Sequence, residues 1–200
     1  MFMKEDLLTQ LFELINNSED IQIDEIPEYH LYISQLEEFF DKKLKKSNGD
    51  EDERKTISKT MIQNYIKDGL LMPPEGKSYN SSHVILLSLI YNLKYILSIR
   101  DIRRLLNPIL ADIEHEDSAM GIESLYESYL ELKQDSIQIL ISSLENLTLK
   151  VDKQIADANK PEEEEQQLKL LLFISALVSE ANQRKKIAEF IIEKYFNLDN

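Results

Sequence analysis

Apolar residues recur at helical spacing along most of the chain. Leu7, Leu8, Leu11, Phe12 and Ile15 make one face of an amphipathic helix over residues 1–16, expected to dock on the rest of the chain or on a second copy, with core packing the default. A second helix is read from about His30, where Leu31, Ile33, Leu36, Phe39, Phe40 and Leu44 form a stripe just after Pro27. The polar run Ser47–Glu53, with its Asn-Gly pair, reads as a loop.

The densest set of local signals begins at Ser58. Its hydroxyl suits the start of a helix in which Met61, Ile62, Tyr65 and Ile66 face inward and Lys59, Thr60, Gln63, Asn64 and Lys67 face outward. Gly69 is placed to end that helix with a left-handed cap, Leu70 and Leu71 to pack back on the core, and Pro73 and Pro74 to forbid more helix. Glu75–Tyr79 then reads as a small wing turning at Gly76. Asn80 or Ser81 caps a helix carrying Val84, Ile85, Leu87, Leu89, Ile90, Leu93, Ile96 and Leu97, dense enough for a central buried element. Ser98 restarts a helix with Ile99, Ile102, Leu105 and Leu106 inward and Arg100, Arg103 and Arg104 outward, ending near Pro108.

Beyond it, Leu125, Tyr129, Leu132, Leu140, Leu144, Leu147, Val151 and Ile155 form a long seam, broken around Ser136 and stopped by Lys160-Pro161. Glu162–Glu165 favour the start of another helix, whose window Leu168–Val178 spans eleven residues. That is well short of the ~20 that cross a bilayer, so it reads as core. A final amphipathic helix uses Ile187, Phe190, Ile191, Tyr195 and Phe196. The fold class is therefore all-α with at most a small β wing.

Charge divides the same map into three. The 200 residues hold 23 Lys and Arg against 37 Asp and Glu, a net charge of -14, which argues against a wholly basic nucleic-acid coat or a cationic membrane-surface protein. Yet residues 54–104 carry nine basic and three acidic groups, so a basic middle lies between acidic flanks. With no cysteine there is no disulfide, thiolate metal site or thiol nucleophile. The N-terminus MFMKEDLLTQ lacks the apolar stretch of a secretion signal, so a cytoplasmic protein without membrane attachment is expected.

Helix, short exposed helix ending in Tyr-x-x-x-Gly-Leu-Leu, Pro-containing wing, buried helix and Leu-Ser-Ile-x-x-Ile follow one another in an order that resembles the MerR-type winged helix-turn-helix. Tyr65, Gly69, Leu70, Leu71, Pro73, Pro74, Gly76, Tyr79, Leu97, Ser98, Ile99 and Ile102 carry the likeness. With a Leu31-Tyr32 helix ahead of that core, the chain looks more like the YkrK-like uncharacterised bacterial family than a standard MerR regulator. The resemblance implies an N-terminal helix and linker over 1–29, a winged helix-turn-helix over 30–107 and a helical dimerisation or effector region over 108–200. It further implies a transcription regulator that binds double-stranded DNA as a homodimer.

The residues agree with that implication. Gln63 and Asn64 can each pair bidentately with adenine in a major groove, and Thr60 can meet a thymine methyl group or a base edge. Lys59, Lys67, Lys77 and the Tyr65 hydroxyl suit phosphate oxygens, with Ser78 and Tyr79 beside them in the wing. Tyr65 reads equally well as a packing residue, and Arg100, Arg103 and Arg104 as neutralisers of a helix terminus. The chain departs from the MerR pattern in having Gln63-Asn64-Tyr65 for Arg-Tyr-Tyr, Gly76-Lys77-Ser78 for Gly-Tyr-Arg, and an acidic insert, Asp50–Glu53, between the first two helices.

Other chemistry is poorly represented. Gly49, Gly69, Gly76 and Gly121 lie too far apart for a phosphate-binding loop, and no nucleophile elbow or His-Glu-x-x-His pair occurs. Glu37-Glu38 and Asp112 with Glu114 have acid-base residue types without a pocket signal. Glu114-His115-Glu116-Asp117 reads as a solvated charge run rather than a metal site. No enzyme, metal or cofactor is expected. A small-molecule effector would fit between C-terminal helices, with Tyr126, Tyr129, Phe173 and Tyr195 as lining candidates. The rival reading is an interaction adaptor that keeps the winged-helix core without binding DNA, its acidic ends engaging a basic partner.

Overall fold

The computed structural model describes residues 5–16, 20–44, 57–115, 121–156 and 161–196. Among them are seven α-helices and one two-stranded sheet: α1 (Glu5–Asn16), β1 (Leu31–Tyr32), α2 (Ile33–Leu44), α3 (Lys59–Lys67), β2 (Ser78–Tyr79), α4 (Ser81–Leu93), α5 (Ile99–His115), α6 (Ile122–Ile155) and α7 (Glu162–Tyr195). The fold is mostly helical, as the periodicity predicts. No helix among the described residues is long and apolar enough to cross a membrane.

The chain forms two compact units. One comprises residues 19–131 and 188–200, the other residues 1–18 and 132–187. This partition differs from a cut at 107/108: α5 runs through Pro108 to His115 instead of ending there. Proline removes one amide donor and crowds the preceding turn, but the helix is held on both sides of it by Ile102 and Leu106, 0% and 1% exposed, and by the half-buried Ile109, Leu110 and Ile113.

In the larger unit the central element is α4. Residues 83–90 are all buried, which explains why this segment reads as apolar on every face. Around it pack Leu36 and Phe40 of α2, Ile62 of α3, Leu70 and Leu71, Ile102 and Leu106 of α5, and Tyr126 of α6. Each such side chain contributes about 1.5–3 kcal/mol through removal from water. The Tyr126 hydroxyl, wholly buried, donates to the Ile21 carbonyl at 2.9 Å and so fastens the segment before β1 to the core.

Leu31 and Tyr32 form a strand rather than the first turn of a helix. They pair antiparallel with Tyr79 and Ser78, respectively, and α2 begins only at Ile33. A short two-residue partner in the wing thus overrides the helical pattern locally. The loop read over 47–53, the acidic insert within it, and residues 116 and 117 lie outside the described residues.

In the smaller unit Leu11, Phe12 and Ile15 of α1 pack on a cluster of Leu144, Val151 and Phe173, so α1 does use its apolar face for core packing. Lys169 joins α7 to α6 through Asp152 at 3.1 Å while also meeting Glu165 at 2.6 Å. Two expectations are corrected here. The two helices read over 162–196 are one 34-residue helix, Glu162–Tyr195; the long helix read for the seam is α6, unbroken at Ser136, whose hydroxyl donates to the Lys133 carbonyl. The window Leu168–Val178 is not a buried core either. Phe173 is 5% exposed, whereas Leu171, Leu172, Ile174 and Val178 are 60%, 41%, 56% and 55% exposed.

Candidate nucleic-acid interface

Helix α3 is short, and both its ends are tied down. At the N-terminus the Ser58 hydroxyl accepts from the Met61 amide at 3.2 Å, and Glu37 of α2, itself buried, accepts from the Lys59 amide at 3.2 Å. At the C-terminus Gly69 takes φ 69°, and the amides of Leu70 and Leu71 both donate to the Tyr65 carbonyl, at 2.8 and 3.2 Å. A Cβ on Gly69 would lie 3.5 Å from the Nε of Arg103, so α5 brings a guanidinium beside the end of α3. Nine residues form too short a helix to persist alone; capping and the buried Ile62 and Tyr65 hold this one in place.

That anchoring leaves Lys59, Thr60, Gln63, Asn64 and Lys67 exposed on α3. The Lys59 ammonium lies 3.6 Å from Glu37, so part of its charge is already answered within the protein. In the wing Glu75 and Ser78 exchange backbone hydrogen bonds of 3.0 and 3.1 Å around Gly76 (φ 65°) and the exposed Lys77. The Ser78 hydroxyl donates to the Glu75 carbonyl at 3.0 Å, with His30 Nδ1 3.3 Å away.

Two aromatic residues among the DNA-facing candidates are core residues: of the two readings of Tyr65 the structure has the packing one, and Tyr79 is buried in the wing's base. Tyr65 is 7% exposed and Tyr79 4%, and burial raises both hydroxyl pKa values above the ordinary 10. Tyr65 sits on the inward stripe with Ile62, and Tyr79 meets the His83 ring edge to face at 5.1 Å. Arg104 turns back to Asp101 at 3.9 Å.

His83, one of three histidines scattered along the sequence, joins wing to scaffold. It is 1% exposed, its Nε2 lies 3.3 Å from the Pro73 carbonyl, and its Nδ1 accepts from the Asn80 amide at 3.1 Å. Asn80 in return accepts from the His83 amide at 3.3 Å, a reciprocal cap at the start of α4. The signal for this role in the sequence is the position of His83 three residues after a capping Asn. Desolvation holds its pKa below the ordinary 6.5, opposed by the hydrogen bond to Pro73. The neutral ring therefore stabilises the fold fully above about pH 6.5, and this contribution is lost as pH falls toward the lower folded value, because the unfolded chain takes up the proton first. Between about pH 7.5 and 5.5 the wild type should lose more thermal stability than His83→Gln; parallel melting curves for the two would count against this role.

The aromatic residues considered for an effector pocket are dispersed. Tyr126 stacks on Tyr129 with ring centroids 5.9 Å apart, Phe173 belongs to the core of the other unit, and Tyr195 is 68% exposed. Among the described residues no group of three or more His, Asp or Glu side chains is arranged to hold a metal ion.

A family model described as "Domain of unknown function (DUF1836)" matches residues 21–129. The chain belongs to the DUF1836 family. The matched stretch nearly coincides with residues 19–131 of the larger unit, so the DUF1836 region is the part that holds α3, the wing and the α4 core. No curated protein and no solved structure matches the chain.

Proposed function

We propose that this DUF1836 protein is a sequence-specific, DNA-binding transcription regulator of MerR-like type, acting as a homodimer through α3 and the wing. The observation that carries the proposal is the division of α3 into two faces. Ile62 and Tyr65 are committed to the core, while polar side chains suited to base edges and phosphates, Gln63, Asn64, Thr60 and Lys67, occupy the exposed side. The pairing of β1 with β2 supports it as well, since it braces the wing that presents Lys77. In this reading Gln63 and Asn64 read adenines, Lys59, Lys67 and Lys77 neutralise phosphates, and Tyr65 and Tyr79 position the helix and the wing from within the core.

Selection from a random double-stranded DNA pool tests it. An inverted repeat should be recovered, with affinity falling steeply as salt rises. On that repeat Asn64→Ala or Gln63→Ala should cost about 1–3 kcal/mol and relax the preference at one position. Lys67→Ala should weaken every sequence alike. Absence of retention even at low salt would sink the regulator and favour the interaction adaptor, for which the net charge of -14 and the pairing of Lys59 with Glu37 already speak.

A further inference from the structure

The smaller unit is short of core. Its described residues include four buried apolar side chains, Leu144, Val151, Ile155 and Phe173, three of them in one cluster, while α7 turns Leu171, Ile174 and Val178 outward at 60%, 56% and 55% exposure. These three lie at i, i+3 and i+7, one stripe of a helix. A shallow groove of about 590 Å³ follows the same side, lined among others by Ile174, Ser175, Val178 and Ser179.

Charge identifies what covers that stripe. Extended by sevens, it runs Glu164, Leu171, Val178, Lys185, with acid at one end and base at the other. The acidic turn Glu162–Glu165 and the basic turn Arg184–Lys186 lie nearly equal distances along the helix on either side of Ser175. A second α7 laid antiparallel, with a two-fold axis near Ser175, therefore sets Glu163 and Glu164 beside Lys186 and Lys185 of the second copy and Leu171 beside its Val178, while Glu165 and Arg184 lie off this face on Lys169 and Glu180. A parallel pairing would instead place Glu163 and Glu164 against the same residues of the second copy, a like-charge cost. The same surface meeting itself is what a closed two-fold dimer requires. The small Ser175 and Ser179 leave room for the partner's larger side chains.

We infer that the outward face of α7, centred on Ile174 and Ser175, pairs antiparallel with the same face of a second copy of this chain. This deepens the dimer of the proposed regulator, and it is testable in the absence of DNA, so that its failure leaves DNA binding to be judged separately.

The chain has no cysteine, which makes cross-linking clean. Ser175→Cys puts its thiols near the axis and should give a covalent dimer on mild oxidation. Asn182→Cys, on the same face but two turns from the axis, should not. Cross-linking of both variants, of neither, or of Asn182→Cys alone would overturn the pairing. Sedimentation equilibrium provides an independent reading: the wild type should be dimeric, and Lys185→Glu with Lys186→Glu should weaken association at least tenfold. Adding Glu163→Lys and Glu164→Lys should restore it. A monomeric wild type, or no recovery in a quadruple variant that retains the wild-type circular dichroism, would refute the charge register.

Discussion

Replacing Lys59, Lys67 and Lys77 together by glutamine should weaken the proposed DNA binding on all sequences by roughly a hundredfold at low salt, without changing which sequence is preferred. The three ammonium groups stand at the start of α3, at its end and at the tip of the wing, each on an exposed residue. Removing one lysine–phosphate pairing should flatten the slope of log affinity against log salt by about 0.9, so removing all three approaches about 2.7. Lys59 is expected to contribute the least, because Glu37 lies 3.6 Å from its ammonium and competes with phosphate for it. Single replacements measured across a salt series would separate the three. A triple variant that keeps the wild-type salt slope would show that these lysines do not touch the DNA backbone.

Phe40→Ala should be the most destabilising single change in the DUF1836 region, about 3–5 kcal/mol, with a fall in Tm of about 10–20 °C. Phe40 is wholly buried, meets Phe39 edge to face at 5.6 Å, and sits on the helix that also carries Glu37. Its truncation leaves a cavity beneath the element that receives the Lys59 amide, so the start of α3 should loosen along with the core. Thermal unfolding checks the magnitude, and amide exchange at Lys59 and Met61 checks the route. A destabilisation below about 1 kcal/mol would mean that neighbouring helices collapse into the space.

The residue-by-residue reading of caps and turns and the structure meet most closely where local chemistry is strong. Ser58, Gly69, Gly76 and Asn80 take the capping and turn roles their residue types suggest, because each satisfies backbone groups or permits a φ that few alternatives allow. The outward set on α3 is equally readable, since a helix period sorts faces without knowledge of the partner. The roles of Tyr65 and Tyr79 are not. A tyrosine with an apolar ring and a polar tip suits a core and an interface alike, and only packing against Ile62 in one case and His83 in the other distinguishes them.

Periodicity, caps and composition are enough to establish a helical chain, the position of the exposed helix and wing, and the basic middle between acidic flanks. Long-range pairing settles the rest. Leu31 and Tyr32 become a strand because Ser78 and Tyr79 lie alongside, α5 passes Pro108 because its apolar stripe is held on both sides, and His83 acquires a role because the Pro73 carbonyl comes within 3.3 Å. The window Leu168–Val178 shows the limit from the other direction. Hydrophobicity states that a surface gains by leaving water but not which surface covers it, and among the described residues Leu171, Ile174 and Val178 remain more than half exposed.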